Sequence, residues 1–145
     1  MAESFRYDTR VFVADTNCFG TVYFARYFEW QGRAREAFFR AVVPNFQELL
    51  DAGYRLLTVK ALMRYRKELC LFDPLTITIE ILELHHTTVV LHFTFFRDER
   101  EPIGIGRQRL VLTDREGQPV KIPEDVRQRL QAYLAVSNHM PNSGC

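Results

Sequence analysis

The stretch from Phe24 to Val43 constrains this fold more than any other part of the chain: it has no proline, one glycine at Gly32, and stops against Pro44. Proline disfavours helical geometry in the residue before it, so a helix is expected to end near Val43. At about 100° per residue, Arg26, Glu29, Arg33, Glu36 and Arg40 fall into one charged stripe. Glu29 with Arg33, and Glu36 with Arg40, have the i,i+4 spacing that favours ion pairs in the Glu-first order. The opposite side carries Phe24, Tyr27, Phe28, Gln31, Ala34, Arg35 and Phe38. A helix dry over so much of its circumference needs a sheet that curls around it.

The remaining chain reads as that sheet. Phe5 to Ala14 is expected as a first strand, with Phe12 and Ala14 on one face and Val11 and Val13 on the other. Phe46 to Ala52 reads as a short helix closed by Gly53. Strands follow over Tyr54–Lys67, Leu75–Leu84, Thr88–Arg97 and Ile103–Thr113. In the first of these, Leu57, Val59, Ala61, Met63 and Tyr65 alternate against Thr58, Lys60, Arg64 and Arg66. The breaks between them are short and turn-like, which predicts antiparallel neighbours. Pro123 to Ala135 is expected as a closing amphipathic helix. The expectation is an α+β domain over residues 1–136: a five-stranded, strongly curved antiparallel sheet around a long central helix. Residues 137–145 are expected as a disordered tail. Thr88–Arg97 is apolar on both faces at its centre, which points to partner subunits completing its burial.

Several function classes are disfavoured. A net charge of +1, with no separate Lys/Arg block, argues against nucleic acid. No apolar run approaches a membrane span, and the N-terminus shows no signal-peptide h-region. Cys18, Cys70 and Cys145 form no CxxC and leave one unpaired, which fits reduced thiols in a cytoplasm.

Between the first strand and the helix lies a polar turn, Asp15-Thr16-Asn17-Cys18-Phe19-Gly20-Thr21-Val22-Tyr23. A loop opening onto a helix N-terminus, with a cation at Arg35 on the dry side, is a way to hold an anionic or carbonyl-bearing ligand. The competing reading lets the Arg35 stem pack while its head snorkels out. Gln31, one turn earlier, adds a second polar group, and burying both unpaired would cost roughly several kcal/mol. Tyr27 on the same face is either a hydrogen-bond donor to the ligand or a packed aromatic. Arg64, Tyr65 and Arg66 make either a basic edge for a phosphopantetheine or acidic carrier protein, or a solvated strand face. Cys18 has no His near it in sequence and reads better as a buried thiol than a nucleophile. His85-His86 lack supporting ligands for a metal, and His92 reads as structural.

The string from Asp15 through Trp30, followed by Arg33-Ala34-Arg35, resembles the signature of hotdog-fold acyl thioesterases of the 4-hydroxybenzoyl-CoA thioesterase type. The resemblance spans about residues 5 to 135. It implies a sheet wrapped on a central helix, dimers joined sheet edge to sheet edge, active sites at the dimer interface, and dimers often paired into tetramers. The usual pattern has an Asp where this chain has Asn17, and often a Glu where it has Gly32. An amide cannot take a proton from water as a carboxylate does. The enediyne-biosynthesis thioesterases, with Asn and Arg at the two positions, are the branch this sequence is most similar to. That branch implies a β-ketoacyl polyene on the acyl carrier protein domain of an iterative polyketide synthase, and release of a β-keto acid that can lose CO2. No cofactor or metal is implied.

On this reading Asn17, Arg35 and Tyr27 carry the chemistry. Gly20, Val22, Tyr23, Phe24, Gln31 and Tyr65 contact the substrate, with backbone amides near Tyr23 to Ala25 receiving the carbonyl. Two other classes stay open. A hotdog dehydratase or isomerase would want a His or acid on the helix's dry face, where none stands. A non-catalytic acyl-binding module fits the missing carboxylates. The 12 Phe suit a long acyl channel or an ordinary aromatic core alike.

Overall fold

The computed structural model describes residues 3–135, so the expected tail, with Cys145, lies outside the described residues. In chain order the elements are β1 (Phe5–Arg10), a 3-10 turn (Val13–Asp15), α1 (Arg26–Val42), α2 (Phe46–Asp51), β2 (Arg55–Tyr65), β3 (Pro74–Leu84), β4 (Thr88–Arg97), β5 (Glu101–Thr113) and α3 (Glu124–Gln131). All five strands form one antiparallel sheet in the order β1-β3-β4-β5-β2. One face closes on α1 around Phe38, Phe93, Phe95, Ile77, Ile79 and Leu110, all fully buried. The expected architecture of a sheet around a helix is present.

The departures are local and have physical causes. β1 ends at Arg10 rather than Ala14. The Asp15 carboxylate accepts from the Phe12 amide at 2.9 Å, pulling the chain into the 3-10 turn. Phe12 and Val13 are consequently exposed while Val11 is buried. α1 begins two residues later than expected, and its dry side is centred on Tyr27, Trp30, Gln31, Ala34, Phe38, Phe39 and Val42. Phe24 and Phe28 stay partly in solvent. Glu29 pairs backward with Arg26 at 2.9 Å, not forward with Arg33. Among the described residues Glu36 and Arg40 form no ion pair. α3 stops at Gln131, because Leu134 and Ala135 turn to bridge Ile81.

β2 is the largest correction. A bulge between Thr58 and Lys60 reverses the alternation partway along the strand. Leu56 packs against the core and Thr58 turns toward α1 before the bulge; Met63 packs inward and the Tyr65 ring meets Tyr27 after it. Leu57 and Val59, expected on one face with Met63 and Tyr65, are about half exposed at 52% and 50%. β2 also neighbours β5, not β3, so Arg66–Asp73 must cross the open end of the sheet. That crossing buries Leu69 completely and hydrogen-bonds it to the loop, Val22 N–H donating to the Leu69 carbonyl at 3.0 Å.

Candidate active site

Asn17 organises its own loop. Its side-chain oxygen accepts from the Phe19 amide at 2.8 Å and from the Thr21 hydroxyl at 3.4 Å. Gly20 turns the chain back at φ +82°, a left-handed conformation open to glycine at no steric cost. The Asn17 N–H donates to the Thr21 carbonyl at 2.7 Å, closing the turn. The Asn17 amide nitrogen is left unused by any described residue, so it is a donor at the loop surface.

The loop delivers the chain to the start of α1 with two amides to spare. Tyr23 N–H is consumed by the Asp15 carbonyl at 3.0 Å. Phe24 and Ala25 N–H have no acceptor among the described residues. Helix N-termini leave such donors unsatisfied and concentrate positive potential there. The expected cradle of three amides is therefore a cradle of two. The Phe24 carbonyl accepts from the Tyr65 hydroxyl at 2.7 Å, tying the helix start to the end of β2.

Next to this junction is a cleft of about 240 Å³ lined by Val22, Phe24, Tyr27, Tyr65, Arg66, Lys67 and Glu68. Four of the residues expected to form the site, Val22, Phe24, Tyr27 and Tyr65, thus meet in one place. The cleft is apolar within and basic at its rim. Lys67 is partly offset by Glu101 at 2.8 Å. Arg97 bridges Glu101 at 2.9 Å and Asp73 at 3.1 Å and donates to the Glu68 carbonyl, which clamps the crossing segment as one wall. Those bonds from Arg97, then Lys67, hold the Glu101 carboxyl down at about 2. Tyr27 is 3% exposed, its ring against Trp30, Tyr65 and Phe95. Burial pushes its hydroxyl up to about 12, so it stays protonated, a donor and not a base.

Arg35 and Gln31 are placed elsewhere. Arg35 is half-buried, and its Nη1 donates to Thr58 Oγ1 at 2.6 Å and to Gln108 Oε1 at 2.9 Å. Among the described residues no carboxylate stands within ion-pair distance. Burial lowers the guanidinium's proton affinity, yet arginine keeps its charge. Gln31 is wholly enclosed and spends its amide on Gln108 and on the Leu62 carbonyl. About 14 Å of helical rise separates Arg26 from Arg35, and neither Asn17 nor Arg35 has the other among its partners. One protomer does not bring the two together.

Two residues of this second cluster escaped the sequence reading. Strict alternation puts Thr58 on the face opposite Met63 and Tyr65, and the bulge brings it round to theirs. Gln108 is buried on β5 in the inward series Gly104, Gly106, Gln108 and Leu110. A lone amide in that apolar, glycine-rich series was the signal available. Cys18 and Cys70 are both free and exposed, which corrects the expectation of a buried Cys18 thiol.

Comparison with known proteins agrees with this fold. A family model described as the thioesterase-like superfamily matches residues 11–130. The dynemicin thioesterase, whose crystal structures revealed induced-fit and allosteric effects upon polyene binding, superposes with a TM-score of 0.86 at 29% identity, covering 92% of this chain and 99% of that one. A gentisyl-coenzyme A thioesterase superposes with a TM-score of 0.78 at 26% identity, over 86% and 98% of the two chains. A protein of Aquifex aeolicus (strain VF5), described only provisionally as an esterase, is 24% identical over 127 residues, 88% of this chain and 98% of its own.

Proposed function

This chain belongs to the thioesterase-like superfamily, and from that premise we propose that it hydrolyses a β-ketoacyl thioester without a catalytic carboxylate. Water adds to the thioester carbonyl, the C–S bond breaks, and the thiol leaves with a proton from that water. The free amides of Phe24 and Ala25 and the Asn17 side chain donate to the developing oxyanion. A preorganised donor of this kind is worth roughly 3–4 kcal/mol. Arg35 binds the β-keto oxygen. The β-keto acid released then loses CO2, the electron pair of the broken C–C bond passing into an enolate that Arg35 neutralises before protonation to a methyl ketone. The observation that carries the reading is a half-buried guanidinium with free donors and, among the described residues, no carboxylate partner.

The likeness to the dynemicin thioesterase, whose structures concern polyene binding, supports a polyene acyl chain as substrate, and the carrier in this proposal is the acyl carrier protein of an iterative polyketide synthase, as the sequence resemblance implies. The basic rim at Arg66 and Lys67 suits a phosphopantetheine arm or an acidic carrier. Because Asn17 and Arg35 lie apart in one chain, the working site combines residue 17 of one protomer with residue 35 of its partner. Dimers join at the unpaired β2 edge, where Leu57 and Val59 are exposed, and pair into tetramers. Exposed free thiols at Cys18 and Cys70 fit a reducing cytoplasm. A second reading, delivery on coenzyme A, is favoured by the gentisyl-coenzyme A thioesterase likeness.

The test is release of free thiol from a 3-oxoacyl pantetheine thioester, compared with the same acyl group on coenzyme A and on a carrier protein. Arg35→Ala is expected to lower turnover by about 10²–10³ with an unchanged circular dichroism spectrum. Wild-type turnover in that variant removes Arg35 from the mechanism, and no thiol release by wild type makes the protein a binding module.

A further inference from the structure

A glutamine amide is a donor at one end and an acceptor at the other, and its partners decide which way it lies. Four groups between α1 and the sheet form a chain whose sense is set from one end. The Leu62 backbone carbonyl can only accept, so Gln31 turns its nitrogen to it at 3.0 Å. The Gln31 oxygen is left to accept from Gln108 Nε2, also at 3.0 Å. Gln108 must then face Arg35 with its oxygen, at 2.9 Å. Arg35 can only donate, so both ends of the chain agree. Gln31 and Gln108 are 0% and 4% exposed, which leaves water no part in setting this order.

We propose that Gln108 is a positioning residue: it aims the Arg35 guanidinium by offering it a neutral acceptor, so the cation is anchored without being neutralised. The inference rests on the reading of Arg35 as the group that binds developing negative charge. A glutamate at this place would hold the guanidinium more strongly, and would spend its charge. Thr58 supplies the second neutral acceptor on the same Nη1. The other donors of the fork have no partner among the described residues and remain for substrate oxygen.

Gln108→Glu tests this in the full-length chain, with Arg35→Ala, Gln108→Met and wild type measured beside it on a 3-oxoacyl pantetheine thioester across pH. At neutral pH the introduced carboxylate pairs with Arg35 and opposes the Gln31 oxygen, and kcat is expected to fall at least about tenfold. As pH falls the carboxyl takes up a proton, donates to Gln31 and loses its charge, so the deficit relative to wild type is expected to shrink. Gln108→Met, which removes the acceptor without adding charge, is expected to lose several-fold in kcat with no such relief, and it carries the test if Gln108→Glu does not fold. A folded Gln108→Glu with wild-type kcat, a deficit independent of pH, or a Gln108→Met with wild-type kcat overturns the proposal while an impaired Arg35→Ala leaves the Arg35 reading standing. Wild-type kcat in Arg35→Ala removes the Arg35 reading itself.

Discussion

Gln31 and Arg35 occupy successive turns of one helix face, yet they reach different ends. Gln31 is enclosed and fully bonded; Arg35 is half-buried with donors to spare. The difference comes from what lies opposite. Gly106 has no side chain, and a Cβ there would meet Gln31 Nε2 at 2.2 Å and its Cδ at 2.8 Å. The glycine is thus the space that Gln31 fills. Gly106→Ala must push the amide off both the Leu62 carbonyl and Gln108. A cost of roughly 1–3 kcal/mol is expected in denaturant unfolding, with turnover falling as Arg35 loses its anchor. Unchanged stability would mean that Gln31 shifts freely.

At the scale of an element, α1 carries a fault that the site does not need. Gly32 sits in the helix interior, and a Cβ there would meet nothing within 4 Å. Gly32→Ala is expected to stabilise the protein by about 1 kcal/mol, because glycine loses more backbone entropy than alanine on entering a helix. Gly32→Glu should also fold, and it places a carboxylate where the resemblance expects one, so its rate reports whether this site gains from an acid. β2 is the other decisive element. Its bulge turns Thr58 and then Tyr65 onto α1, while leaving Leu57 and Val59 outward at an unpaired edge.

Two predictions belong to the whole molecule. If residue 17 of one protomer works with residue 35 of the other, Asn17→Ala and Arg35→Ala homodimers are both impaired, but a heterodimer rebuilds one site of its two. Mixing with subunit exchange should restore about a quarter of wild-type thiol release, and no recovery places both residues on the same side. The second concerns His92, whose Nδ1 is buried without a partner, with Glu80 and Arg107 as its register neighbours. Burial, then Arg107, pushes its pKa below 6.5. The unfolded chain therefore binds a proton near 6.5 that the folded chain refuses until lower pH. This contribution to stability is whole above 6.5 and is lost as pH falls through the folded value. Thermal unfolding should show that acid-side slope, and His92→Gln should flatten it.

The elements and their class are legible in the amino-acid order alone. The charged and apolar sides of Phe24–Val43, the short breaks between strands and the Asp15–Tyr23 turn are local patterns, and local patterns survive in one dimension. It also singled out Asn17, Tyr27, Arg35 and Tyr65 as the candidates that the proposed mechanism takes up. Which of these residues meet is settled by long-range packing. The β2 bulge reversed a face that strict alternation had assigned, and β2 paired with β5 across the sheet. The crossing of Arg66–Asp73 then made a wall against the loop, and Gln31 was turned from ligand contact to structural amide. Each of those outcomes depends on pairings between residues far apart in the chain, where register, close approach at a glycine and the one-way sense of a hydrogen bond select among arrangements that local patterns leave equal.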